Sequence, residues 1–134
     1  MKAWLIACCA LALSFEPANA QSGPPRDVSS GTNPRTYSDD LGQLSHVMGG
    51  AHYIRRLCSG RADQRWREQM RKFMDLEGPP GTPQRQVMVQ EFNAGYREQE
   101  ERFPACTPEA QAYEGTLNKM GGRLASGLAA RYRN

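Results

Sequence analysis

Residues 38–58 read SDDLGQLSHVMGGAHYIRRLC, and this stretch decides the fold. Its apolar side chains recur every three or four residues: Leu41, Leu44, Met48, Ala51, Ile54 and Cys58. That spacing places them on one face of an α-helix. Ser38 is the predicted N-cap, and Asp39 and Asp40 follow in the first turn, where carboxylates complement the helix dipole. We therefore predict a helix over about 38–58. The Gly49-Gly50 pair inside it indicates a kink or the close approach of another backbone, because glycine otherwise disfavours a helix.

Three more helical patterns follow. The second runs from about 62 to 77 and ends at the turn formed by residues 78–82, which read GPPGT. Thr82-Pro83 and Thr107-Pro108 each supply a cap followed by a proline at the first helical position. Helices are therefore predicted over about 83–103 and from 108 nearly to the end. Small residues suggest that a neighbouring helix comes close to the fourth: Gly115, Gly121, Gly122, Ala125, Gly127 and Ala129. The fold class expected is all-α, a compact four-helix bundle or array.

The first twenty residues have the features of a secretory signal peptide. Lys2 precedes an apolar run of about a dozen residues, and Ala18-Asn19-Ala20 is a small-x-small cleavage pattern. A lipoprotein cleavage box at Leu5–Cys8 is the competing interpretation, which would leave almost no apolar segment before the cut. We expect a signal peptide over 1–20, a flexible leader over 21–37 that is rich in Gly, Pro, Ser and Thr, and a single helical domain over 38–134.

Two cysteines, Cys58 and Cys106, stay in the chain after such a cleavage. An exported protein meets an oxidising compartment, so we predict a disulfide between them. No apolar run reaches the roughly 20 residues of a membrane-spanning helix, so no integral membrane segment is expected. The predicted location is the periplasm.

Basic residues are concentrated between 55 and 72. Without Lys2 and Glu16 the chain has 16 basic and 13 acidic residues, and 14 of the bases are Arg. Arginine forms two-pronged contacts with carboxylates and phosphates. One interpretation is that the basic segment pairs with the acidic residues of the third helix. The other is that its arginines bind an anionic polymer of the cell envelope. Nucleic acid is disfavoured because the protein is expected to leave the cytoplasm.

Polar and aromatic residues on the first and third helices form the candidate ligand site. If the two helices face each other, these side chains would line a shared groove suited to sugar or peptide recognition. The candidate residues, together with Trp66 from the basic segment, are His52, Tyr53, Arg55, Arg56, Asn93, Tyr96 and Arg97.

Catalytic and metal-binding patterns do not stand out. There is no Cys-x-x-Cys, and His46 and His52 lie about 120° apart around one helix, so they cannot share a metal from one face. We expect no metal and no cofactor. Glu77 is the best lone acid, since it ends an apolar face where burial could raise the pKa of its carboxyl group. The alternative interpretation of Glu77 is an exposed residue at a helix end.

The motifs HYxRxxC at 52–58 and FNxGYR at 92–97 resemble those of a known family. Together with Trp66-Arg67, Cys106 and Arg131-Tyr132, they are similar to an uncharacterised family of small exported alphaproteobacterial proteins, classified as a domain of unknown function. The resemblance covers about 38–133. It implies a periplasmic location and suggests a part in envelope or cell-wall growth, and it brings no catalytic assignment.

Three functions are consistent with these observations. The leading hypothesis is a non-enzymatic periplasmic protein that binds peptidoglycan or a wall-growth complex. The second is an adaptor that docks onto another envelope protein through a helix face. The third is a peptidoglycan hydrolase that uses Glu77.

Overall fold

The structure is a computed structural model, and it describes residues 35–133. It contains four helices: α1 (Tyr37–Ser59), α2 (Arg65–Glu77), α3 (Pro83–Arg102) and α4 (Pro108–Tyr132). No strand is present in this part of the chain. The predicted all-α bundle is therefore confirmed, with helix bounds within three residues of those expected. The predicted signal peptide and most of the leader lie outside the described residues.

The start of α1 differs from the prediction. Thr36, not Ser38, is the N-cap: its side chain accepts a hydrogen bond from the Asp39 backbone N–H, and the Asp39 carboxylate accepts one from the Thr36 N–H. This reciprocal capping box satisfies two backbone donors at once, which Ser38 could not do from inside the first turn. The N-cap of α1 therefore lies two residues earlier than expected. Thr82 and Thr107 cap α3 and α4 as predicted.

Helix α1 is the centre of the bundle. Thirteen of its 23 residues are buried, and it packs against each of the other three helices. The backbone of α2 also approaches that of α3, whereas α4 approaches only α1. Apolar side chains of α1 form the middle of two adjoining clusters. One includes Val47 and Ile54, and the other includes Leu41 and Met48.

The closest helix contact joins α1 to α3. A Cβ atom at Gly49 would overlap the backbone carbonyl oxygen of Phe92, and one at Gly95 would overlap that of His46. The backbone approach predicted at Gly49 is thus confirmed. The close approach expected along α4 is found at Gly121, where a Cβ would lie 3.5 Å from a side-chain carbon of Val47. It is absent at Gly115 and Gly122, where a Cβ would meet nothing within 4 Å.

Two features hold α4 onto α1. Cys58 and Cys106 form the predicted disulfide, which links the last turn of α1 to the residue before the α4 cap. The bridge spans 48 positions of the chain, and closing a loop of that size stabilises a fold by about 4 kcal/mol in the chain-entropy model. At the other end the buried Asp40 carboxylate forms an ion pair with Arg131 at 2.8 Å and accepts a hydrogen bond from the Tyr132 hydroxyl at 3.1 Å.

Candidate functional site

A groove of about 710 Å³ lies between α2 and α3, and α1 forms its floor. We call it the α2–α3 groove. Its size is within the range usual for small-ligand sites. The residues that line it are His52 from α1; Gln64, Arg67, Glu68, Met70, Arg71 and Met74 from α2 and its cap; and Arg85, Val89, Phe92, Asn93 and Tyr96 from α3.

Helix periodicity explains which side chains enter the groove. On α2, Arg67, Arg71 and Met74 are separated by four and three residues, so they lie on one face. On α3, Val89, Asn93 and Tyr96 have the same spacing. The most apolar face of α2 and of α3 packs against α1, and the neighbouring face of each helix lines the groove. A mixed surface results, with arginine and amide groups beside thioether and aromatic groups.

His52 lies at the floor and is nearly inaccessible, with 4% of its surface exposed. Its ring lies 5.7 Å from the Phe92 ring and 5.8 Å from the Tyr96 ring, measured between centroids. Burial lowers the pKa of His52, and the positive charges of Arg56 and Arg67 act in the same direction. The imidazole is therefore neutral at pH 7. Its buried Nδ1 has no hydrogen-bond partner among residues 35–133, and such a group normally has one.

A second unpartnered polar atom lies in the same groove. The Gln64 amide nitrogen donates to the Arg61 carbonyl at 2.8 Å, while the buried Gln64 Oε1 accepts no hydrogen bond from the described residues. Arg56 donates to the Tyr96 hydroxyl at 3.1 Å, and the Tyr96 ring packs near that of His52. Two residues of the groove lining, His52 on its floor and Gln64 at the start of α2, therefore each have a buried polar atom without a partner in residues 35–133.

The arginines at the mouth of the groove differ in whether they form hydrogen bonds or ion pairs with the rest of the fold. Arg85 donates to the carbonyls of Met74 at 3.3 Å and Gly78 at 2.8 Å, and it pairs with Asp75 at 3.5 Å, so it secures the end of α2. Arg67 and Arg71 make no ion pair or side-chain hydrogen bond with any residue in 35–133, and both are exposed. Two guanidinium groups, four residues apart, are thus free to contact an anion.

Residues 36–132 match the family model described as a protein of unknown function (DUF2385). The chain belongs to this family. The match begins at the α1 cap and ends at the last residue of α4, so the matched segment corresponds to the four helices. No curated protein and no solved structure matches the chain. The predicted resemblance to an uncharacterised family is confirmed, while the source and the export of its members stay predictions.

In this DUF2385 chain the groove collects only part of the predicted site. His52, Asn93 and Tyr96 line it, and Arg56 supports it through Tyr96. Tyr53 does not line the groove, and its buried hydroxyl donates to the Phe103 carbonyl at 2.6 Å.

Arg55, Trp66 and Arg97 lie elsewhere. Arg55 pairs with Asp63 at 3.0 Å and with Glu114 at 3.4 Å. The hydrogen bond between Arg55 and Asp63 raises the pKa of the guanidinium group and lowers that of the carboxyl group. Trp66 lines a different cavity, between α2 and α4. Arg97 is exposed and is not part of the groove wall.

The expected pairing between the basic segment and the acidic residues of α3 is not made within residues 35–133. Glu91 and Glu98 instead contact the two ring nitrogens of His46, at 3.0 Å and 2.8 Å. Of the basic segment, Arg55 alone forms ion pairs, and its partners lie before α2 and on α4. That segment therefore leaves Arg67 and Arg71 available at the groove.

Sequence reasoning missed several groove residues, among them Gln64, Met70, Met74, Arg85 and Phe92. Arg67 and Arg71 were included only as members of a basic segment. A signal was present for these two, because Arg67, Met70, Arg71 and Met74 follow helical spacing on one side of α2. No local pattern distinguishes Arg85, since its role depends on where the end of α2 lies.

Glu77 lies apart from the α2–α3 groove. Its half-buried carboxylate accepts a hydrogen bond from the Tyr37 hydroxyl, and that bond raises the pKa of Tyr37 to about 12. The exposed helix end that formed the alternative interpretation of Glu77 is therefore wrong. Its use in catalysis stays a prediction.

Two absences apply to residues 35–133. No helix in this range is long and apolar enough to cross a lipid bilayer. No cluster of three or more His, Cys, Asp or Glu side chains in the same range could hold a metal ion.

Proposed function

We propose that this protein is a non-enzymatic binding protein of the periplasm that holds carboxylate groups of peptidoglycan in the α2–α3 groove. One observation supports the proposal above the others. Arg67 and Arg71, which form no ion pair with residues 35–133, stand at the mouth of a groove that His52 and Gln64 also line. The buried His52 Nδ1 and Gln64 Oε1 have no hydrogen-bond partner among the same residues. A carboxylate of the ligand would pair with the arginines, and its hydrogen-bonding groups would lie against His52 and Gln64.

The arginines supply the attraction. A guanidinium group binds a carboxylate through two parallel hydrogen bonds, and each charge-assisted bond contributes about 1.5–3 kcal/mol. Arg67 and Arg71 lie one helical turn apart, so they can contact one carboxylate together or two neighbouring carboxylates on a chain. The neutral His52 ring does not add a further charge, so it favours a hydrogen-bonding group at the floor.

The apolar wall narrows the ligand class. Met70 and Met74 lie beside the arginines on α2, and Phe92 lies on α3 across the groove. These apolar side chains favour aliphatic groups over a bare inorganic anion. Peptide stems of peptidoglycan combine free carboxylates with methyl side chains and amide groups, which fits a mixed wall of this kind. The predicted export of the chain would bring it to that polymer.

Sedimentation with purified cell-wall sacculi tests the proposal. At low salt the wild-type protein is expected to sediment with sacculi, and Arg67→Gln/Arg71→Gln is expected to bind at least tenfold more weakly, because about 1.4 kcal/mol corresponds to a factor of ten. The matched control is Arg61→Gln/Arg97→Gln, which removes the same charge from exposed positions outside the groove. It should bind as the wild type does.

Soluble fragments identify which part of the polymer is recognised. Stem peptides should compete with sacculi for the protein, and glycan strands freed of peptides should not. A wild-type protein that stays in the supernatant would overturn the proposal. Equal loss of binding in both double variants would overturn it as well, because it would reduce the interaction to net charge.

A further inference from the structure

A second concave surface lies on the opposite side of α2. The backbones of α2 and α4 both rest on α1 and do not approach each other. Between them lie two cavities of about 470 Å³ and 490 Å³. Leu44, Phe73 and Ala125 line both cavities, one residue from each of α1, α2 and α4, so the cavities adjoin. We call this continuous surface the α2–α4 trough.

Most of the residues that line the trough are apolar. Trp66 and Phe73 form the α2 wall, and Leu117 and Leu128 belong to the α4 wall. Leu76 lies three residues after Phe73 and is 78% exposed, which extends the apolar surface beyond the α2 wall.

The dimensions match a helix. The lining residues of α4 run from Leu117 to Tyr132, which is about 22 Å or four turns at 1.5 Å per residue. Small residues form much of this wall, and a Cβ at Gly122 would meet nothing within 4 Å. A helix lying in the trough could therefore bring its backbone close to α4 in the space that no helix of residues 35–133 fills.

The charges along the edges select the occupant. Gln69 lines the trough. Arg65 lies four residues before it and Lys72 three residues after it, so both basic residues lie along the α2 edge of the trough. Lys119 lies three residues before Gly122 on the α4 edge, and Arg133 lines its end.

The acidic residue in the trough wall, Glu77, accepts a hydrogen bond from Tyr37 within the fold. Because the other charged residues named along the two edges are Arg or Lys, both edges are predominantly basic. A second copy of this chain would bring basic edges against basic edges.

We propose that the α2–α4 trough binds an amphipathic helix of a partner protein, with an apolar face about four turns long and Asp or Glu along its flanks. Apolar side chains of such a helix fill the floor at i, i+3, i+4 and i+7, while its carboxylates meet the basic edges. This surface is separate from the α2–α3 groove, so one molecule can engage the wall polymer and a protein partner together.

Fluorescence anisotropy with two labelled model peptides tests the proposal. Both are 16-residue amphipathic helices with the same leucine face, one flanked by Glu and the other by Lys. The Glu peptide is expected to bind, and the Lys peptide at least tenfold more weakly. Gly122→Leu should weaken binding of the Glu peptide at least tenfold by filling the trough. The matched control, Thr116→Leu, adds the same side chain at an exposed α4 position outside the trough and should leave binding unchanged.

Two further measurements separate this site from its alternatives. Arg67→Gln/Arg71→Gln should bind the Glu peptide as the wild type does, and loss of binding there would reassign the peptide to the α2–α3 groove. Sedimentation equilibrium reports self-association, and a dimer that Gly122→Leu dissociates would assign the trough to a second copy. Either result overturns the proposal, as does equal binding of the Glu and Lys peptides.

Discussion

Helices α3 and α2 both pack against α1, but they are held in different ways. The α3 contact is made by backbones: Gly49 and Gly95 let the two chains approach so closely that neither position can carry a side chain. Helix α2 contributes one fully buried side chain, Met70, and has a concave surface on each side. The closely packed pair α1 and α3, which we call the frame, is the rigid part of the bundle. The looser packing of α2 leaves apolar and charged surface open for binding, which a fully packed helix could not do.

This contrast implies a difference in local stability. Elements with few buried contacts open at lower free energy than the core that carries them. Helix α2 is then the part of the bundle that can adjust to a ligand, while α1, α3 and the disulfide keep their places. Three predictions test the contrast, beginning with the largest effect.

Replacing Gly95 by alanine disrupts the close backbone contact between α1 and α3. The new methyl group would overlap the His46 carbonyl oxygen, and backbone on both sides prevents a local adjustment. We expect Gly95→Ala to lower the free energy of unfolding by about 3 kcal/mol or more, at the upper end of the cost of overpacking. Denaturant unfolding followed by circular dichroism measures it.

Gly115→Ala is the matched control, because it places a methyl group in open space on α4. It should raise the free energy of unfolding by about 0.5–1 kcal/mol through helix propensity. If the two variants were equally stable, the close contact between α1 and α3 would not exist in solution.

Arg85→Ala tests the packing of α2, the less tightly held helix. It removes hydrogen bonds to the carbonyls of Met74 and Gly78 and should cost about 1–2 kcal/mol. Hydrogen exchange should speed up in α2 and stay unchanged in the middle of α1 and α3. Arg71→Ala, in which the lost guanidinium has no partner in the fold, should change stability by less than about 0.5 kcal/mol. Uniform acceleration across all four helices would contradict the separation between frame and α2.

The smallest effect concerns His52, which lies where the frame meets the groove. Burial lowers the pKa of His52 in the folded state below the ordinary value of 6.5. The unfolded state therefore takes up a proton first as the pH falls through about 6.5, and the stability that the neutral ring provides above that pH is lost below it.

Comparing the wild type with His52→Gln at pH 7.5 and pH 5.5 isolates this contribution, since His46 is present in both proteins. The wild type should lose more free energy of unfolding between these pH values than the variant does. A larger loss in the variant would mean that the imidazole is charged inside the fold.

The helices themselves were readable from local patterns. Thr82-Pro83 and Thr107-Pro108 mark helix starts because a cap side chain reaches only its own first turn, and proline sets φ without reference to the rest of the molecule. The same reasoning misplaced the first cap by two residues. Thr36 and Ser38 both have suitable side chains, and the choice depended on which of them could form the reciprocal bond with Asp39.

The site was only partly readable. His52, Asn93 and Tyr96 do share a groove, since the polar stripes of two helices on either side of a glycine contact must lie near each other. Arg55 and Arg56 are neighbours in sequence, yet one is fixed by Asp63 and Glu114 and the other by Tyr96. Sequence proximity carries no information about such long-range partners.

From sequence, this protein can be recognised as four amphipathic helices with a Cys58–Cys106 bridge, because helix formation, capping and the pairing of two lone cysteines depend on short-range or compositional rules. Tertiary structure decided which arginines form ion pairs or hydrogen bonds within the fold and which stay available to bind a ligand. It also decided that α2 stands apart from α4. Both depend on how side chains distant in the chain meet across packed helices, where a rotation of one helix by about two residues would exchange its buried and exposed faces.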